Sequence, residues 1–165
     1  MVEDENSRDL EHVYRSAVSG LYGRLKSNND FIYQRFGDDG IKLIAEMSRA
    51  YGLSIAGRAK KRLKDNDLLS VADYLLRIFD TIGRHSDYAP IVERSESRIV
   101  IKFNKCPLHF DKPEMCLAHT EMEKTVVEEL NPDLLYRIGK SIPAGDDCCE
   151  HILEYKAQLD NSSDS

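Results

Sequence analysis

The spacing of apolar residues along this chain changes once, at Gly83. Before Gly83, apolar side chains recur every three or four residues, as they do on one face of an amphipathic helix. After it, short segments alternate apolar and polar residues in the manner of β-strands, with helical patterns between them. This order predicts an α+β fold in which helices pack on one face of a small antiparallel sheet.

The first half predicts three helices. The first begins at Asp9 and is broken by the polar residues 27–30. The second follows a turn at 37–40, and glycines inside it indicate a bend or a close helix contact. The third is capped by the segment Asp65-Asn66-Asp67 and ends at Gly83, and it is the most apolar of the three. We therefore expect it at the centre of the core.

The second half predicts a hairpin of residues 90–94 and 98–103, followed by a helix over 115–130. On that helix we expect Glu121, Glu123 and Lys124 to face water. Asn131, with Pro132 after it, predicts the start of a further short helix. Residues 148–156 alternate again and predict a last strand that pairs with the hairpin.

The length of 165 residues favours one domain. We assign that domain to residues 9–158, made of a helical half (9–83) and a half carrying the strands (84–158). A flexible N-terminus (1–8) and a polar tail (159–165) flank it.

The net charge and the hydropathy of the chain exclude some classes of binding partner. The chain has 23 basic and 29 acidic residues, a net charge of −6, which argues against a nucleic-acid partner. No apolar stretch is long enough to span a bilayer, so we expect no membrane insertion. The acidic start, 1–6, does not fit a signal peptide. The sequence thus predicts a cytoplasmic protein with reduced thiols, and it is compatible with a homodimer.

The chemistry is concentrated between Lys105 and His151, a segment that contains all four cysteines and three of the five histidines. Cys106 follows a predicted strand, Cys116 starts a predicted helix, and Cys149 lies at the start of the last strand. If that strand pairs with the hairpin, the three thiols can converge. A thiolate set suits zinc or iron, and three ligands with an open fourth position would be a catalytic pattern. Buried cysteines that serve only as small apolar residues are the structural alternative.

Strand alternation places Cys148 and Cys149 on opposite faces. Cys149 shares the core-like face with His151, so we prefer it as a ligand and keep Cys148 and His151 as additional candidates. His109 is a further candidate because it follows Cys106 by three residues.

His119 and Asp146 are the candidates for proton transfer. His119 follows Cys116 by three residues, which places both on one helix face. A solvated helix histidine is the alternative for His119, and a simple turn with Gly145 is the alternative for Asp146.

One further pattern supports a family resemblance. Cys106-Pro107-Leu108, a second cysteine at 116, Asn131-Pro132 and the motif from Gly145 to Cys149 resemble the L-2-amino-thiazoline-4-carboxylic acid hydrolase-like family and the related 4-vinyl reductase domain. Residues 36–40 and 51–52 also look similar to the helical half. The resemblance implies an α+β domain with a small-molecule pocket between helices and sheet. It implies either hydrolysis of a cyclic C–N bond or, from the related domain, ligand sensing with a bound zinc.

The first hypothesis is therefore a metal-dependent hydrolase of a small thiazoline-type substrate. Cys106, Cys116 and Cys149 would hold zinc or iron, and His119 or Asp146 would move protons. The alternative is a non-catalytic, metal-containing domain that binds or senses a small molecule. A third interpretation makes Cys106 a metal-free nucleophile beside His109 or His119. Redox use of the adjacent cysteines is the weakest interpretation.

Overall fold

The structure, a computed structural model, describes residues 2–83 and 90–157. Four helices and four strands form most of this part of the chain. In chain order they are α1 (Val2–Phe36), α2 (Asp38–Ala59), α3 (Leu68–Gly83), β1 (Ile91–Arg94), β2 (Arg98–Phe103), α4 (Pro113–Leu130), β3 (Leu134–Ile138) and β4 (Cys149–Tyr155). A short 3-10 turn, Ile142–Ala144, lies between β3 and β4.

The strands form one antiparallel sheet in the order β1-β2-β4-β3. The last strand thus lies inside the sheet, with Leu153 opposite Ile99 on one side and Tyr136 on the other. The predicted hairpin and the predicted pairing of the last strand with it are both confirmed.

The helices cover one face of this sheet. Ile99, Ile101 and Phe103 alternate along β2 and belong to a single buried cluster with Cys149 and Leu153 of β4. Residues of α2, α3 and α4 complete that cluster: Ile55, Ala59, Leu68, Val71, Ala72, Leu75, Val126, Val127 and Leu130. The predicted α+β fold, with helices on one face of a small sheet, is confirmed.

The polar segment 27–30 does not interrupt the first helix, contrary to the sequence prediction. α1 runs without a break to Phe36. Lys26 reaches Asp30 one turn later at 2.8 Å, a spacing that supports a helix. Asn29 is only 4% exposed, because α1 packs this turn against the protein. The break prediction was wrong because tertiary packing outweighs the low helix propensity of these residues.

The predicted helix after Asn131 is a strand instead. The Asn131 side chain accepts the backbone N–H of Asp133 at 2.9 Å, which turns the chain rather than starting a helix. β3 then places Leu134 and Tyr136, both buried, on the core face of the sheet beside β4. A five-residue apolar segment fits either structure, and the open edge of β4 decides for the strand.

The division into domain and flanking segments stays a prediction. α1 already includes the backbone from Val2, and the predicted tail 159–165 lies outside the described residues. Across residues 2–83 and 90–157, none of the helices combines the length and the apolar character needed to cross a membrane.

Candidate functional site

A cavity of about 410 Å³ lies between the helices and the sheet. Its wall is mainly apolar and aromatic, and every helix contributes to it together with β2, β4 and the loop after β2. The residues that line it include Tyr22, Asn29, Ser48, Phe79, Phe103, Lys105, Cys106, Phe110, Cys116, His119, Glu123, Cys149 and His151.

Three of the four cysteines line this one cavity. Cys106 comes from the loop after β2, Cys116 from the first turns of α4, and Cys149 from the start of β4. All three are free thiols; Cys149 is buried and the other two are partly exposed. Residues separated by as much as 43 positions in sequence are brought together because β4 pairs directly with β2.

The surroundings keep two of these thiols protonated. Burial raises the pKa of Cys116 to about 11, and the nearby thiols of Cys149 and Cys106 add to the shift. Burial also raises the pKa of Cys149, although its sulfur accepts the backbone N–H of Ile142 at 3.4 Å. A metal ligand or a nucleophile needs the thiolate, which an apolar setting disfavours.

Both histidines in the cavity wall are neutral packing groups. Burial lowers the pKa of His119 to about 4, and its ring meets Phe110 edge-on at 5.6 Å. Burial also lowers the pKa of His151 to about 4, and the His151 Nδ1 atom lies 2.5 Å from the hydroxyl of Tyr136. The fixed ring of His151 also contacts Phe79 and Phe103.

The remaining candidates lie outside the cavity wall. Asp146 is exposed and accepts the backbone N–H of Ser141 at 2.7 Å, so its carboxylate stabilises the turn at Gly145, whose φ is 98°. Cys148 is not part of the cavity wall, and its thiol hydrogen-bonds with Asp147. His109 adopts a left-handed backbone conformation, with φ of 48°, in the loop before α4.

Sequence reasoning missed Glu123. The sequence predicted that this residue faces water, together with Glu121 and Lys124, yet Glu123 is only 5% exposed and lines the cavity. Its Oε2 atom is buried without a hydrogen-bond partner among the described residues. The helical spacing could have predicted this position, because residues 116, 119 and 123 lie on one face of a helix.

Glu123 sets the electrostatics of the cavity. Burial raises the pKa of its carboxyl to about 7. Its negative charge in turn adds to the raised pKa values of three groups, Tyr22 on α1, Tyr136 on β3 and Cys116 on its own helix, after burial as their main cause. Glu123 is therefore close to groups from three elements.

We expect the free energy of unfolding to depend on pH through Glu123. Its pKa is about 7 in the folded protein and 4.5 ordinarily, so the folded state holds the proton more tightly. The stabilisation is complete below pH 4.5 and is lost as the pH rises through 7, on the order of 3 kcal/mol in all. Urea unfolding of wild type and Glu123→Gln at pH 5 and pH 8 measures this difference.

His119 and His151 also contribute to the pH dependence of the free energy of unfolding. Because both histidines are present in both proteins, comparing the proteins at each pH cancels that contribution. Glu46→Gln, on the exposed face of α2, serves as the control and should follow wild type at both pH values. An equal stability difference between wild type and Glu123→Gln at pH 5 and pH 8 would contradict the buried carboxyl.

Comparison with known proteins gives a fold but no family. No protein-family model matches the chain, and no curated protein matches it. Among solved structures, it is similar to a trafficking protein particle complex subunit 3 from Naegleria fowleri, covalently bound to palmitic acid. The TM-score is 0.58 at 13% identity, over 88% of this chain and 96% of that one. At this identity the likeness concerns the fold. The resemblance to the thiazoline hydrolase-like family therefore stays a prediction.

The prediction of a metal-dependent hydrolase was wrong. Within the described ranges, no group of three or more His, Cys, Asp or Glu side chains is arranged to hold a metal ion. The similar solved structure is a trafficking complex subunit rather than a metal-dependent hydrolase. The cysteines do reach one cavity, but its apolar wall keeps Cys116 and Cys149 as neutral thiols. The prediction of a zinc or iron site and the alternative of a metal-containing sensing domain are wrong for the same reason.

Proposed function

We propose that this protein binds a long hydrocarbon chain, of the kind found in fatty acyl groups, in the cavity between its helices and its sheet. The observation that carries the proposal is the cavity itself, about 410 Å³ in volume with a mainly apolar and aromatic wall. Pockets for small molecules typically measure roughly 300–1,000 Å³ and are lined mostly by such residues. A flexible hydrocarbon chain gains free energy in proportion to the apolar area it buries there.

The structural neighbour supports the same class of ligand. That protein, a trafficking protein particle complex subunit 3, is described as covalently bound to palmitic acid. A saturated sixteen-carbon chain is apolar along nearly its whole length, which matches a cavity wall of this composition. The neighbour is also a subunit of a multi-protein complex, so protein partners are part of this proposal.

We expect the bound hydrocarbon chain to form no covalent bond with Cys116 or Cys149. The thiols of Cys116 and Cys149 have raised pKa values and are mainly protonated near neutral pH, so both are poor nucleophiles. Organic extraction of the native protein, followed by mass spectrometry, should release the chain intact. An adduct that survives extraction, is cleaved by neutral hydroxylamine and disappears in Cys106→Ser would show covalent attachment instead.

Filling the cavity should abolish binding. Ser48 of α2 is a small, partly buried residue of the cavity wall. We expect Ser48→Trp to weaken binding of a fluorescent acyl probe by tenfold or more, because the indole occupies the volume that the chain needs. Titration of delipidated protein measures the affinity, and circular dichroism checks the fold.

Ser54→Trp, on the exposed face of the same helix, is the matched control and should bind like wild type. The proposal fails if delipidated wild type shows no saturable binding of the probe, or if Ser48→Trp binds it as tightly as wild type.

A further inference from the structure

Glu123 marks one point of the apolar cavity as polar. The residue is 5% exposed, its Oε2 atom has no hydrogen-bond partner among the described residues, and it belongs to the cavity wall. A buried polar atom without a partner has lost its hydrogen bonds to water and gained none in return. A purely hydrocarbon ligand would leave that cost in place, whereas a ligand with a hydrogen-bond donor would remove it.

The neighbouring groups favour a cation over an anion. The charge of Glu123 contributes to the raised pKa values of Tyr22, Tyr136 and Cys116. Other ionisable residues of the cavity wall are Cys106, Cys149, His119 and His151. The tyrosines and cysteines among these are neutral and become negative when they lose a proton. The low pKa values of the two histidines mean that neither supplies a positive charge. Lys105 is the only lysine or arginine in the described cavity wall, and it lies in the loop after β2.

A second buried polar group, Asn29, does not indicate whether the ligand carries a hydrogen-bond donor or an acceptor. Within residues 2–83 and 90–157, its Nδ2 atom also has no hydrogen-bond partner. Asn29 lies on α1 seven residues after Tyr22, about 10 Å along the helix. Rotation of the amide by half a turn exchanges its donor for its acceptor, so Asn29 accepts either kind of partner. Above pH 7 the carboxyl of Glu123 does not share this ambiguity, because both of its oxygens accept once it is ionised.

We infer that the ligand is a long-chain primary amine, whose ammonium group pairs with the Glu123 carboxylate while its hydrocarbon chain fills the apolar cavity. This inference rests on the proposed function, and it names the head group that such a chain carries. A charge-assisted hydrogen bond between ammonium and carboxylate is about twice as strong as a neutral one. A free fatty acid presents the opposite charge and is disfavoured at the same point.

The pH dependence of amine binding follows from Glu123. The pKa of its carboxyl is about 7 without ligand, so amine binding displaces a proton below that pH. The apparent affinity for the amine should rise by up to tenfold per pH unit as the pH approaches 7 and level off above it. Long-chain amines keep their proton throughout this range.

The test compares three ligands of equal length, decylamine, 1-decanol and decanoate, as competitors of the fluorescent acyl probe. At pH 8 we expect wild type to bind decylamine at least tenfold more tightly than decanoate, with 1-decanol between them. Glu123→Gln keeps the shape and an acceptor oxygen, so it should retain 1-decanol but lose tenfold or more in decylamine affinity. Glu46→Gln should leave all three affinities unchanged.

The outcomes separate the two proposals. If wild type binds the three chains equally or prefers decanoate, or if the decylamine affinity does not rise between pH 5 and pH 8, the amine inference is overturned and chain binding stands. If wild type binds none of the three and not the probe, the proposed function itself fails. The wild-type comparisons decide the question even if Glu123→Gln does not fold.

Discussion

Replacing Leu153 with alanine is expected to lower the free energy of unfolding by about 3 kcal/mol. Leu153 is fully buried at the centre of β4, with Ile99 opposite on β2 and Tyr136 opposite on β3. Truncating a buried leucine to alanine typically costs about 2–5 kcal/mol, through lost apolar burial and the cavity left behind. The position lies between two strands, so the surrounding side chains can relax only partly. Urea unfolding monitored by circular dichroism measures the change.

Leu69→Ala is the control for this prediction. Leu69 lies on α3 and is 50% exposed, so its truncation should change the free energy of unfolding by less than about 1 kcal/mol. Similar losses in the two variants would mean that β4 is not the centre of the core.

The second large effect is expected at Gly52, where α2 and α4 are in close contact. A Cβ atom at Gly52 would lie 2.7 Å from the backbone oxygen of Met122 and 2.9 Å from the Cβ of Thr125. Gly52→Ala must therefore push the helices apart, at a cost of about 1–3 kcal/mol that exceeds the gain of roughly 1 kcal/mol in helix propensity. Thermal and urea unfolding measure the net loss.

Gly57 provides the matched control on the same helix. A Cβ at Gly57 meets no atom within 4 Å, so Gly57→Ala should stabilise the protein by about 0.5–1 kcal/mol. The sequence predicted a bend or a close helix contact at both glycines, and only the structure shows that the contact is at Gly52. Stabilisation by both substitutions would contradict the close packing of α2 against α4.

Local signals were enough to predict several elements. Asp67, in the predicted capping segment, caps α3 by accepting the backbone N–H of Ser70 at 2.9 Å. The segment 98–103, rich in β-branched residues, forms β2 as predicted. The polar residues at 27–30 and the Asn131-Pro132 pair misled the prediction, because their propensities are weak compared with packing. α1 continues where Asn29 is buried, and β3 forms where β4 offers an unpaired edge.

The candidate site was predicted in part. The sequence identified the cysteines and His119 as residues that could meet, and the structure places Cys106, Cys116, Cys149 and His119 in one cavity wall. It did not predict their surroundings, which decide their chemistry. A thiol among polar groups can be a ligand, whereas Cys116 in an apolar wall has a pKa of about 11 and stays neutral.

The sequence by itself determined the fold class, the hairpin, the last strand and the residues from which a site could be built. These follow from periodicity and capping, which act over a few residues. Only the tertiary structure decided that α1 is continuous, that residues 134–138 form a strand, and that Glu123 faces a cavity. Burial and charge at a point depend on every element packed around it, and those elements are distant in sequence.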